Sequence, residues 1–166
     1  MRSGRFVVRT VVAVIFVAAI AMYLRHVGSA GLGLLEPTLP LQNTDLIAIE
    51  STIQLKLPGI SAVRNIALLH GKDNTLFLEI IVPDETASKL KATVSARSRA
   101  VRHSDVLWGV PPWFAVSEEK VDSAYEEAPL TYVVFCKPDS GTTVIYIRVT
   151  SMSERITTGV YNIFTK

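Results

Sequence analysis

The sequence predicts an α+β fold. It reads as a small antiparallel sheet of two β-hairpins, with room for an added edge strand and one packed helix. A single N-terminal transmembrane helix precedes it. Three observations carry this expectation. An arginine-bracketed apolar run stands at the N-terminus. Two pairs of β-rich runs flank turn formers at Gly71–Asn74 and Pro138–Gly141. One stretch, residues 85–97, shows helical apolar spacing. The expected layout is an anchor over 1–27, a tether of low order over 28–45, and an extracytoplasmic α+β domain over 46–166.

Arg2, Arg5 and Arg9 lead into the uncharged run Thr10 to Leu24, which Arg25 and His26 close. As a helix this run spans about 22 Å, against the roughly 30 Å hydrocarbon core. Phe6, Val7 and Val8 extend it, and Arg9 can snorkel to the headgroups. The favoured reading is an uncleaved signal anchor. A secretory signal cut near Gly28-Ser29-Ala30 and a buried core helix are the alternatives. Residues 1–30 hold four Arg and no acid, so the positive-inside bias puts the N-terminus in the cytoplasm and the rest outside. That places the chain in the cytoplasmic (inner) membrane as a single-pass protein. Signal cleavage would instead leave a secreted or periplasmic domain.

Residues 31–166 carry 13 basic and 15 acidic side chains, so the basic character belongs to the anchor and does not indicate a nucleic-acid partner. The single cysteine excludes an internal disulfide framework and multi-cysteine metal sites.

Within the domain, Leu46 to Ser51 fits strand or helix. Thr52 to Leu57 alternates, with Ile53, Leu55 and Leu57 on one face, and predicts a short strand ending at Pro58-Gly59. Val63 to His70 is the next strand. Leu76 to Val82 is apolar on both faces except at Glu79 and predicts a central strand. Asp84 is the expected N-cap of the helix, with Glu85 in its first turn and Leu90 and Val94 as core contacts. The second hairpin joins Thr131–Lys137 to Thr142–Thr150. A type I turn is expected there, with Pro138 at its second position and Gly141 closing it. Ile145, Ile147 and Val149 should face the core, with Tyr146 and Arg148 facing away. In the tail, Val160 to Phe164 is a candidate short strand.

Four segments carry a resemblance. They are Leu57-Pro58-Gly59-Ile60-Ser61-Ala62 leading to Val63–Ile66, then Leu76–Pro83, then Pro111-Pro112-Trp113-Phe114, and Val144–Ile147. Together they resemble an uncharacterised family of small bacterial envelope proteins, membrane-anchored or secreted. That family has Leu-Pro-x-Ser-Ala and Pro-Pro-Trp-Trp elements. The likeness covers about residues 53–150. This chain has one extra residue at Gly59-Ile60 and Phe114 in place of the second Trp. The resemblance implies location and fold, and no activity.

Ser98 to Leu130 lacks convincing regular structure, and loops of that length are uncommon unless functional or disordered. It holds Trp108, Trp113 and Phe114. These are candidate contact groups for a partner, set against a hydrophobic plug folded over the sheet. Lys89, Lys91, Arg97, Arg99, Arg102 and His103 form a basic stretch. Glu118, Glu119, Asp122, Glu126 and Glu127 form an acidic one. Arg97, Arg99 and Arg102 are candidates for an anionic or glycan ligand. The plain alternative is two solvated faces that pair loosely.

No cofactor or metal is expected. The three histidines are too scattered for ligand spacing and read as surface or turn residues. Cys136 reads as a buried inert thiol. No catalytic residue is assigned. The leading function class is a non-enzymatic envelope module that binds another protein. A secreted or anchored module for an anionic or glycan ligand comes second. A hydrolase assembled from distant residues comes third.

Overall fold

A computed structural model describes residues 33–70, 73–103, 111–127, 131–151 and 158–165. The chain divides into a unit over Met1–Leu34 and a unit over Leu35–Lys166. The expected transmembrane helix, with its arginines, lies outside the described residues. Among the described residues no helix is long and apolar enough to cross a membrane.

The fold is α+β, as expected, but larger than two hairpins. Among the described residues seven strands form one sheet: β1 (Leu34–Leu35), β2 (Val63–Leu69), β3 (Asn74–Pro83), β4 (Arg99–Ala100), β5 (Val121–Glu127), β6 (Thr131–Cys136) and β7 (Thr142–Ser151). Their order is β1-β2-β3-β7-β6-β5-β4. Among the described residues three α-helices accompany them: α1 (Asn43–Ile53), α2 (Asp84–Ser95) and α3 (Thr158–Thr165). The expected hairpins are β2–β3 and β6–β7, both antiparallel. They meet at the centre, where β3 and β7 pair antiparallel from Asn74↔Ser151 to Pro83↔Thr142.

Each strand sends alternate residues to opposite faces. Leu76, Leu78, Ile80, Val82, Ile145, Ile147 and Val149 are all buried in one core with the helices. α1 adds Ile49 and Ile53, α2 adds Ala87 and Val94, and α3 adds Val160, Ile163 and Phe164. Leu90 packs against this core half-buried.

Five expectations need correction. Thr52–Leu57 is not a strand. Ile49 and Ile53, one helical turn apart, are both buried, and the helix runs through Ile53 before Gln54 ends it at φ 55°. Leu55 and Leu57 are buried from extended chain outside the sheet. Glu50 ties that chain to the helix, accepting from Lys56 Nζ and from the Leu57 amide, each at 2.7 Å. Second, the helix reaches into the expected tether: it starts at Asn43, and Asp45 Oδ2 accepts from the Gln42 amide at 2.8 Å.

Third, Pro83 holds the N-cap position of α2. Asp84 instead accepts from the Thr143 hydroxyl at 2.7 Å, pinning the helix start to β7. Fourth, Val160–Phe164 is helical, because its buried residues fall at Val160, Ile163 and Phe164, the spacing of one helix face. Fifth, the β6–β7 turn is Asp139–Thr142. Ser140 (φ 52°) and Gly141 (φ 83°) both lie in the left-handed region, the primed turn that matches strand twist. Pro138 precedes that turn.

The 98–130 segment also holds more regular structure than expected, since β4 and β5 both lie in it. β5 pairs with β6 from Val121↔Cys136 to Glu127↔Thr131. Its run VDSAYEE has too little apolar alternation to announce a strand.

Candidate functional site

The face of the sheet away from the helices carries the polar chemistry. Two rows of side chains cross it. The first is set by register: Asn65 opposes Glu79, Glu79 opposes Tyr146, and Tyr146 opposes Val134. Glu79 lies on the central strand and is 5% exposed. A buried carboxylate there needs donors. Asn65 Nδ2 donates to Oε2, and the Tyr146 hydroxyl donates to Oε1 at 3.1 Å. The Arg64 guanidinium lies 3.8 Å from Oε1. Burial first, and then Glu79, hold the Tyr146 phenol well above its ordinary titration range.

The second row runs Phe77, Arg148, Tyr132, Glu126 and Arg99. Arg148 stacks on the Tyr132 ring, 4.4 Å from its centroid. The Tyr132 hydroxyl donates to Glu126 at 2.8 Å, and Arg99 reaches the same carboxylate at 2.6 Å. Arg99 beside it, and then Tyr132, lower the Glu126 carboxyl, while the bond to Glu126 raises the Tyr132 phenol.

Part of the 98–130 segment lies on this face as a strap. Phe114 is fully buried, edge-on to Phe77 at 5.2 Å and to Tyr146 at 5.4 Å. Val116 is also buried. His103 Nε2 donates to the Val116 carbonyl at 2.8 Å and so fixes the strap. That corrects the expectation of a surface histidine, for His103 is 5% exposed. Its Nδ1 finds no hydrogen-bond partner among the described residues. His70 is exposed, as expected, and bonds Asn74 and Tyr161 at 3.0 Å each.

The expected contact groups separate. Trp108 lies outside the described residues. Phe114 belongs to the core beneath the strap, so it cannot itself touch a partner. Its ring is buried because a strap that covers a sheet needs apolar area facing inward. Trp113 packs edge-on against Phe114 at 5.9 Å and stays half-buried, opening onto a cleft of about 620 Å³. Leu39, Leu41, Ile60, Arg64 and Asn65 line the same cleft. Leu39 is 54% exposed there.

The arginine trio does not assemble into an anion site. Arg97 Nε sits 3.1 Å from Glu127 and its guanidinium donates to the Gln54 carbonyl; Arg99 is held by Glu126. Arg102 is exposed. Lys91 pairs with Asp122 at 2.6 Å, each shifting the other toward its charged form. The basic and acidic stretches therefore face and pair with one another.

Cys136 is buried and free, and burial pushes its thiol up to about 11. Such a thiol stays protonated and is a poor nucleophile. Among the described residues no three His, Cys, Asp or Glu side chains converge as a metal site.

The sequence reading missed Glu79, Asn65, Tyr146 and Arg64 as a unit. One signal was present: a lone acid in a strand apolar on both faces must find donors elsewhere. Its partners lie 14 and 67 residues away and have no local signature. No family model, curated protein or solved structure matches the chain.

Proposed function

We propose that the protein is a non-enzymatic interaction module. An N-terminal helix holds it on the outer face of the cytoplasmic membrane, and it docks a partner protein at the Trp113 cleft. The carrying observation is that cleft, where a half-buried tryptophan and a largely exposed Leu39 share one concave surface. Aromatic anchors are enriched at the centres of protein docking surfaces. The arginine-bracketed run Thr10–Leu24 and the envelope-protein resemblance support the location.

The alternative of an anionic or glycan ligand is less well supported, since Glu127 and Glu126 already neutralise Arg97 and Arg99. A cysteine hydrolase would need a thiolate nucleophile, and burial keeps the Cys136 thiol protonated.

Photo-crosslinking in native membranes tests the reading. A photoreactive residue replaces Leu39 in the full-length chain. A discrete crosslinked partner is expected, and Trp113→Ala should abolish it while the circular dichroism spectrum stays unchanged. A crosslink indifferent to Trp113→Ala rejects the cleft as the docking surface.

A further inference from the structure

The Trp113 cleft lies at the border of the sheet. β1 offers two residues beside β2, which has seven. Most of β2 therefore has no strand neighbour on its outer side among the described residues. The cleft is lined by the segment after β1, from Glu36 to Leu41, by the start of β2 with the turn before it, and by Trp113. Backbone donors and acceptors along such an edge can template another strand.

We propose that an extended segment of the partner protein fills this cleft by strand addition to the outer edge of β2. The segment is apolar at alternate positions and carries one carboxylate. This rests on the reading of the cleft as the docking surface and names the mode and chemistry of docking.

Arg64 supplies the second half of the argument. Val63 opposes Ile80 and Asn65 opposes Glu79, so Arg64 is the extra residue of a bulge. Bulges re-aim a side chain. Arg64 lines the cleft with its side chain 60% exposed. At 3.8 Å from Glu79 it is too far for a hydrogen bond, and that carboxylate is already served by Asn65 and Tyr146. The guanidinium thus offers its fork to an incoming carboxylate. Glu36 lines the same cleft and is of opposite sign, so the added strand is favoured with its acid toward Arg64 and any base toward Glu36. Leu39, Ile60 and Trp113 take the apolar side chains between. A helical ligand has its backbone groups already bonded and would leave the edge unpaired.

The test displays random linear peptides to the full-length protein in detergent micelles and follows β2 amides by hydrogen exchange. Selected peptides should alternate apolar residues around one Asp or Glu, and should protect the β2 amides. N-methylation of alternate peptide amides should abolish binding. Arg64→Gln should weaken binding about tenfold, the worth of one charge-assisted contact, and Arg64→Lys should weaken it less.

Peptides that compete at Trp113 yet leave the β2 amides unprotected overturn strand addition and leave the docking surface standing. Protection that rises with protein concentration alone overturns the partner in favour of a second copy. A selection returning nothing sensitive to Trp113→Ala overturns both readings.

Discussion

On the helix side of the sheet, Leu76, Leu78, Ile80, Ile145 and Ile147 meet three helices in a continuous aliphatic core. On the strap side, Glu79, Tyr146, Tyr132 and Arg148 sit in hydrogen-bonded and stacked rows under a short loop segment. The first side is closed by area. The second is closed by a few rings and by polar groups that satisfy one another. Polar pairs contribute less net stability than aliphatic burial, yet leaving one half unpaired is costly. The strap side is therefore the more easily opened side, and the cleft lies beside its Trp113.

The widest gap between the two sides should show in truncations. Leu78→Ala, at a fully buried position, should cost about 3–5 kcal/mol and shift the whole urea transition. Phe114→Ala removes a ring that is equally buried, but on a short strap outside the sheet. Its loss should come in at about 3 kcal/mol or below, with hydrogen exchange rising first near Val116. Equal, fully cooperative losses would erase the distinction between the sides.

The next effect sharpens the polar argument. Glu79→Ala strands the Asn65 amide and the Tyr146 hydroxyl, and should cost about 1–3 kcal/mol in chemical denaturation. No loss would mean that the row is solvated rather than buried.

The sequence made the helix side legible. Period-two alternation over Ile145–Val149, and the apolar run of β3, pointed to the buried positions directly. It misread Thr52–Leu57, because two residues of a helix face followed by extended chain imitate a strand. It misread Val160–Phe164, because a helix of eight residues shows little more than one turn of pattern. The strap side was legible only as an oddity, a long aromatic segment and a lone Glu79. Its partnerships are set by register between strands far apart in sequence. Cys136, in contrast, could be placed as a buried thiol, because its neighbours Val134 and Phe135 are themselves apolar.

The smallest effect concerns the rim. Asp122 and Glu50 are held below their ordinary range by Lys91 and Lys56. Stability from these pairs is present above the unfolded carboxylate value and is lost as pH falls through the folded one. Lys91→Ala should flatten the acid limb of melting temperature against pH. Because both partners are more than a third exposed, the change should be about 0–1 kcal/mol and should shrink in salt. A change as large as that of Leu78→Ala would give the rim as much weight as the helix side.

The central β3–β7 pairing also governs how the chain is made. Thr75 and Thr150 face each other across it, although 75 residues separate them. The edge of β3 that meets β7 must stay bare until β7 has been synthesised. Closing so wide a loop slows folding, and it lengthens the time in which a chaperone or a neighbouring nascent chain can reach the exposed edges.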